Sequence, residues 1–395
     1  MTRFNDFDLI IVGGGLFGIT VAERCARELN LRVLVVERRA HIGGNAWSST
    51  DAQTGIEVHD YGSHIFHCTS EEVWAYANRF TGFSTYRHRV VTRHQNQFYT
   101  MPMNLGTLSA LYGRFLSPDA ARSLVAEEVA ASGITDPMNL EEKAISLVGR
   151  RMYEAFIRGY TAKQWQTDPK DLPADIITRL PVRYTFNDAY FSDPYQGIPL
   201  VGYGAMAQRM LDVPGIEVLT KCDYFEIKAH IPSDTPVIYT GPIDRYFDCV
   251  AGELSWRTLD FEREVLATSD YQGTSVVNYP DSDVSFTRIH EFRHLHPERK
   301  YDTHKTVIFK EYSRFAQRTD EPYYPIDTRK DESAYQAYRE LAAKKHNVIF
   351  GGRLGTYRYL DMHQAIGAAL KVFENSLQPH FVDGLPLKPQ ARGTP

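Results

Sequence analysis

Leu9-Ile10-Ile11-Val12-Gly13-Gly14-Gly15-Leu16-Phe17-Gly18 is the stretch on which the reading of this chain turns. Four apolar residues, enough for a short buried strand, run into Gly-x-Gly-x-x-Gly, and residues 19–29 continue as a helix. A second apolar run, Val33-Leu34-Val35-Val36, ends on Glu37. Strand, glycine turn, helix, strand and acid is the order of a dinucleotide-binding βαβ unit. Gly13, Gly15 and Gly18 let backbone N–H groups of the turn and of Leu16 and Phe17 approach a pyrophosphate at the positive end of the helix dipole. Glu37, about 20 residues further on, is placed to accept from an adenosine ribose hydroxyl. The glycine pattern alone could be a tight bend; with its flanking elements it points to a bound dinucleotide.

The 395 residues exceed one ordinary core, so two or three domains are expected. With 43% hydrophobic and 24% charged residues the composition is that of a globular protein. A net charge of −5 leaves no global basic field to draw the chain to nucleic acid or to an anionic membrane. Any phosphate site must therefore be built from local arginines. Cys25, Cys68, Cys222 and Cys249 are scattered and form no Cys-x-x-Cys pair. That argues against a metal cluster or disulfide framework and for a reducing compartment. The run at 9–12 is too short for a secretory signal, and no stretch reaches the ~20 apolar residues of a membrane span. A cytoplasmic protein is expected.

Residues 104–166 read as mostly helical. Ser117-Pro118-Asp119 and Asn139 with Glu142 carry helix-start chemistry, and Ile145, Val148, Met152, Phe156 and Gly159 recur at helical spacing. Trp165-Gln166-Thr167-Asp168-Pro169 then opens a polar, proline-containing stretch through Pro173, a loop and candidate mobile segment. From 181 the texture changes to short strands, with 273–279, 284–289 and 305–311 as examples. Val348-Ile349-Phe350 closes on Gly351-Gly352, and an amphipathic helix follows over 361–377, which suggests that the chain returns to complete its first domain. Residues 378–395 carry Pro and Gly without periodicity and read as a tail.

Several longer motifs stand in a recognisable order: His41-Ile42-Gly43-Gly44-Asn45, Tyr61-Gly62-Ser63-His64-Ile65-Phe66-His67, Gly159-Tyr160-Thr161-Ala162-Lys163-Gln164-Trp165, Glu321-Pro322-Tyr323-Tyr324-Pro325, and Gly352-Arg353-Leu354-Gly355-Thr356-Tyr357-Arg358-Tyr359-Leu360-Asp361-Met362. Together they resemble bacterial UDP-galactopyranose mutases from about residue 7 to 377. The resemblance implies an FAD enzyme that interconverts UDP-galactopyranose and UDP-galactofuranose without net redox. It implies an α/β fold, discontinuous in sequence. A Rossmann-like FAD domain would take 1–82, 218–245 and 345–380. A helical domain would take 103–180, with a mobile loop near 166–180. A twisted antiparallel sheet would take 83–102, 181–217 and 246–344, leaving a tail at 381–395. A homodimer or larger homo-oligomer is implied, with UDP-galactose as the small-molecule partner.

By the same resemblance, Arg179 and Arg288 grip the substrate pyrophosphate; their forked donors match phosphate oxygens. Tyr190, Tyr324 and Tyr359 match phosphate-contacting tyrosines, and burying such hydroxyls without partners would cost free energy. Phe156 and Tyr160 match uracil-stacking positions, although Phe156 on its apolar stripe could equally be core. Asn278 matches a base-edge contact and Trp165 the loop tryptophan. His88 stands where other members commonly carry Asn for a sugar hydroxyl, and its charge near neutral pH is open. On the cofactor side the resemblance adds Arg38, Gly43, Gly44, Asn45, His64, Ile65, Tyr224, Gly241, Arg353, Asp361 and Met362. Arg353 would lie near the flavin ring, Asp361 would accept from a ribityl hydroxyl, and the turn of His64 would lie against the isoalloxazine.

The implied mechanism is covalent attack of reduced FAD N5 on the sugar anomeric carbon, with UDP leaving and returning and the 165–179 segment as lid. Two rivals are weighed. His290-Glu291-Phe292-Arg293-His294 matches His-Glu-x-x-His, but a strand-like context separates positions four apart by ~13 Å, too far for one zinc. An amine-oxidase-like flavin oxidoreductase shares the N-terminal motifs and is the alternative function.

Overall fold

The computed structural model describes residues 4–177, 180–301 and 304–387. One layer is a five-stranded parallel sheet, drawn from both ends of the chain, in the order Val348–Phe350, Val237–Tyr239, Leu9–Val12, Val33–Val36, Ile216–Leu219. Leu9–Val12 sits centrally, with Ile11 opposite Ile238 on one side and Val35 on the other. The continuous apolar runs of the sequence follow from cover on both faces. Leu9, Ile11, Val33 and Val35 enter one core with the helices Leu16–Leu29, Tyr203–Leu211 and Met362–Val372. Ile10, Val12, Leu34 and Val36 enter a second core with Tyr224, Tyr246 and Tyr338. Each such buried aliphatic contributes roughly 1.5–3 kcal/mol, so the period-two alternation holds the sheet from both sides.

A second sheet of seven strands runs Tyr324–Pro325, Trp256–Leu266, Thr306–Phe315, Arg288–Glu291, Val276–Asn278, Val90–His94, Gln97–Met101. All neighbours are antiparallel except Val276–Asn278 beside Val90–His94. A third layer is helical: Leu105–Leu111, Pro118–Ala131, Leu140–Val148 and the run from Arg150 to Trp165. That run bulges into a π-turn at Tyr153–Ile157, which carries Phe156. The starts form as the sequence predicts: Ser117 accepts from Ala120, with Pro118 first in the helix, and Asn139 accepts from Glu142.

Three expectations are corrected. Residues 203–217, expected with the antiparallel sheet, pack on the parallel one: Tyr203, Met206, Ala207 and Met210 bury into the core of the first helix, and Ile216–Leu219 is the parallel sheet's edge strand. Helix Arg329–Ala342, also expected there, places Tyr338 in the core of the parallel sheet. The tail begins later than residue 381, because Gln378–Asp383 is helical and Leu387 is buried. Pro379 lies in the first turn of that helix, where a missing N–H is harmless; read as a breaker, it is a starter. Among the described residues no helix is long and apolar enough to cross a membrane.

Candidate active site

The glycine turn opens a cavity of about 720 Å³, within the roughly 300–1,000 Å³ usual for cofactor sites. Gly15 caps helix Leu16–Leu29 without any side-chain bond, so the first N–H groups of the helix face the cavity unpaired. Gly43 bridges back to Gly15, and a Cβ on Gly44 would come within 3.0 Å of the Gly15 Cα. Two backbones therefore meet where side chains would fill the groove. Gly18 is fixed by the opposite wall, since a Cβ there would stand 2.1 Å from the Gly13 carbonyl. Gly13, Leu16, Phe17, Asn45, Tyr224 and Gly241 line the same cavity.

Glu37 ends the second strand with its carboxylate held by the Gly14 N–H at 2.7 Å and the Arg39 N–H at 2.8 Å. Arg38 and Arg39 both line the cavity and share Glu321, but they differ. Arg38 is half exposed, whereas Arg39 is mostly buried, bonds Asn45, and has an Nη1 without a partner. Arg39 is thus the better anion donor, and the sequence reading passed it over. Two adjacent arginines after an acid could have raised the question; only packing chooses between them. An open helix start, glycines on both walls and a buried guanidinium with a free Nη1 fit a dinucleotide with its pyrophosphate.

At the far end lie His64, Arg353 and Met362. The His64 backbone N–H donates to His59 Nδ1 at 3.0 Å, and its own ring meets the Gly62 carbonyl at 2.7 Å; burial, with Arg353 nearby, brings its pKa down to about 4, so the ring is neutral. Arg353 donates to the Tyr323 and Leu360 carbonyls and lies 4.7 Å from the Tyr359 ring and 5.7 Å from that of Tyr324. Asp361 does not line the cavity: it caps helix Met362–Val372 and accepts from the Tyr359 hydroxyl at 2.9 Å. Ile65 is buried in the core, leaving only its backbone for any ligand.

A second cavity, of about 540 Å³, is lined by Phe156, Tyr160, Tyr190, Asn278, Arg183 and Pro280. Phe156 answers both readings at once, since it belongs to the helical core and also forms this wall. The Asn278 Oδ1 is buried without a partner. Arg288 stands on the strand beside it, paired in register with Asn278 on one side and Glu311 on the other. Its guanidinium donates to the Tyr160 hydroxyl and lies 3.3 Å from Glu311. Burial opposes both charges, yet Arg288 stays protonated and Glu311 is held down to about 2, because each stabilises the other. His290 joins them, its Nε2 2.9 Å from Glu311 and its Nδ1 2.8 Å from the Ser63 hydroxyl.

His88 is buried 3.0 Å from the Tyr86 hydroxyl and edge-on to Tyr190. Burial first, then Arg288, lowers its pKa to about 3, which settles the open question of its charge: it is neutral. Tyr190 and Tyr359 are 45% and 47% exposed, so the argument from hydroxyl burial fails for them; they are rim residues. Tyr324 stacks loosely on Tyr359 at 5.8 Å. Trp165 ends its helix over the Arg257 guanidinium at 5.1 Å. Arg257 is 3% exposed and makes no ion pair among the described residues. The loop after Trp165, expected as mobile, tucks Pro169 and Leu172 inward, and Leu172 accepts from the Leu140 N–H. Arg179 lies outside the described residues. His290 and His294 diverge, the first to Glu311 and the second to Asp270 at 3.2 Å.

A Rossmann-like parallel sheet with a glycine groove at its central strand, in a chain that adds a helical layer and an antiparallel sheet, defines a dinucleotide-binding enzyme. Family comparisons agree with that class. A model of NAD(P)-binding Rossmann-like domains matches residues 11–80, and the model of UDP-galactopyranose mutase matches 155–359. The chain is 40% identical to a Klebsiella pneumoniae protein described as a probable UDP-galactopyranose mutase, covering 94% of this chain and 95% of that one. It is 39% identical to the dTDP-fucopyranose mutase of Escherichia coli, covering 92% and 96%. The crystal structure of reduced UDP-galactopyranose mutase shares the fold with a TM-score of 0.69 at 15% identity, covering 96% of this chain and 98% of the other. The chain belongs to the UDP-galactopyranose mutase family and is an isomerase.

Proposed function

We propose that the chain interconverts UDP-galactopyranose and UDP-galactofuranose with reduced FAD in the larger cavity and the nucleotide sugar in the smaller one. The observation that carries this reading is Arg288: a guanidinium kept charged by Glu311 and bonded to Tyr160, a residue of the smaller cavity's wall. FAD would be held by the start of helix Leu16–Leu29, Gly43, Gly44, Glu37 and Arg39, with its ring toward His64 and Arg353. When bound in reduced form it supplies the nucleophile toward the sugar anomeric carbon.

The chain's own residues would do the rest. Arg288, and by family resemblance Arg179, would neutralise the diphosphate as it departs and hold it for return. Tyr190, Tyr324 and Tyr359 would donate from the rim. Phe156 and Tyr160 would stack the base while Asn278 reads its edge. Neutral His88 can donate to or accept from a sugar hydroxyl without bringing a charge to the cleft. Trp165 and the following loop would close the site to water. Arg353 would oppose the negative charge of a reduced ring. A reducing, cytoplasmic setting is supported by the absence of any disulfide among the described residues, all four cysteines being free. A homodimer or larger assembly follows from the resemblance.

A dTDP-6-deoxyhexose is the competing substrate, on the strength of the relative at 39% identity. The test incubates dithionite-reduced holoprotein with UDP-galactofuranose and, separately, with a dTDP-fucofuranose, and follows the pyranose isomers by chromatography. Turnover of the UDP sugar only by reduced protein is expected. Preference for the dTDP sugar transfers the assignment to that substrate; equal turnover by oxidised protein removes the reduced cofactor from the reaction. An oxidoreductase of the amine-oxidase type would instead consume oxygen with substrate.

A further inference from the structure

Lys163 lies two residues before Trp165, and the reading above gives it no role. Its ammonium is part-buried and donates to the carbonyls of Tyr279, Asp281, Val284 and Phe286, three of them at 2.8–3.2 Å. All four acceptors are main chain, and all belong to the turn that links strand Val276–Asn278 to strand Arg288–Glu291. A lysine can do this because its three N–H bonds spread tetrahedrally around a compact charge, which a planar guanidinium cannot reproduce.

The same helix meets the same turn at a second point. A Cβ on Gly159 would stand 2.1 Å from the Pro280 carbonyl, so the helix seats on the turn only as glycine. From its other side the turn is clamped by the first strand of the Val90–His94 hairpin. Arg93 pairs with Asp283 at 3.1 Å, His94 pairs with Asp281, and the Gln95 N–H donates to Asp281 at 2.7 Å. The turn is therefore held from two sides, by one helix and one hairpin, and its two ends are Asn278 and Arg288. At those ends, Asn278 lines the smaller cavity together with Phe156 and Tyr160, and Arg288 bonds the Tyr160 hydroxyl; both aromatics are carried by the helical run of Lys163 itself.

We propose that Lys163 is a positioning residue for the nucleotide subsite: by gripping the 279–286 turn it sets Asn278 and Arg288 opposite Phe156 and Tyr160, so that a pyrimidine nucleoside diphosphate is bound between them. The inference rests on the substrate reading above and refines it. Loss of the ammonium frees four carbonyls and lets the helix carrying Tyr160 drift from the strand carrying Arg288. The cofactor cavity shares no wall with this turn. The effect should therefore fall on nucleotide affinity, not on FAD.

Burial pushes the Lys163 pKa down to about 8, against the opposing pull of Asp283 and Asp281. The other charged or titratable groups at the turn are Arg93, His94 and Tyr279, and burial moves Tyr279 upward, away from this range. Nucleotide affinity should accordingly fall as pH rises through about 8.

The experiment titrates UDP into FAD-loaded protein by calorimetry from pH 7 to 9.5, for the wild type, Lys163→Met and Lys163→Gln. In the wild type, affinity is expected to fall across that interval. Both variants are expected to bind UDP at least about tenfold more weakly at pH 7, with a flat profile, while retaining FAD. In turnover, KM should rise by that factor with kcat within about threefold, since the lost interaction is shared by ground and transition states. Variants with wild-type UDP affinity, or an unchanged pH profile, overturn the proposal. Should neither variant fold, the wild-type profile decides: no alkaline loss of UDP affinity overturns it. A wild type that takes FAD but binds no UDP at any pH removes the substrate reading, and this inference with it.

Discussion

The two cavities are built in opposite ways. The cofactor groove is made of backbone: a glycine turn, an uncapped helix start and a second glycine pair lying against the first. The smaller cavity is made of side chains that converge from a π-turn, a helix, three strands and a rim loop. Backbone donors are placed once the local fold forms, so that half is robust to side-chain change but intolerant of any added Cβ. Side chains from distant elements depend on tertiary docking, so that half should fail residue by residue.

This contrast can be broken most directly at Gly18. Gly18→Val drives a methyl group into the Gly13 carbonyl, and flavin content of the purified protein should fall below about a tenth of wild type, read from its visible absorbance. Retained flavin would show that the groove does not rely on close backbone approach. Next, Arg288→Ala should keep FAD yet cut isomerisation at least ~10²-fold, and Arg179→Ala should do likewise. Full activity in both would dissolve the side-chain half of the comparison.

A smaller effect is expected at Arg39, the one side chain on which the backbone-built half leans. Arg39→Ala should weaken FAD about tenfold in a fluorescence titration and leave UDP binding alone. Acid stability sharpens the picture further. His88 and His64 are held neutral, with pKa values brought down to about 3 and 4. The unfolded chain protonates them near pH 6.5, so their contribution is full above that pH and is lost as pH falls toward those values. Tm should therefore drop between pH 6.5 and 4, and His88→Asn should flatten part of that slope. The least effect belongs to Asp119→Asn, which removes an exposed pair with Arg122 and should change stability by less than about 0.5 kcal/mol in denaturant titration.

The same division explains what could be read in advance. The βαβ unit is local: Leu9 to Glu37 contains its own strands, turn, helix and acid, and period-two burial makes its apolar runs continuous. Helix starts at Ser117 and Asn139 were readable because capping is a matter of three adjacent residues. Strand ends were less so; the strand expected at 284–289 is Arg288–Glu291, because carbonyls of 284 and 286 turn toward Lys163 instead of a neighbouring strand. Helix Tyr203–Leu211 carries no mark of which sheet it covers, and its buried side turns to the parallel sheet, not to the antiparallel one expected. At the site, the resemblance gave roles to Arg288 and Asn278 but none to Glu311, nor to Lys163, which stands inside a quoted motif while its partners lie far along the chain.

By itself the sequence determined that a pyrophosphate-bearing dinucleotide is met by glycines and a helix start, and that a nucleotide-sugar mutase is the family in question. Those features depend on neighbours a few residues apart. Only the tertiary structure decided which of two adjacent arginines is buried in the glycine-lined groove, that burial and Arg288 lower the His88 pKa, and that one lysine grips the turn joining strands Val276–Asn278 and Arg288–Glu291. Charge state and grip arise from what is packed around a group, and that is set by contacts more than a hundred residues away, as between Lys163 and Asp281.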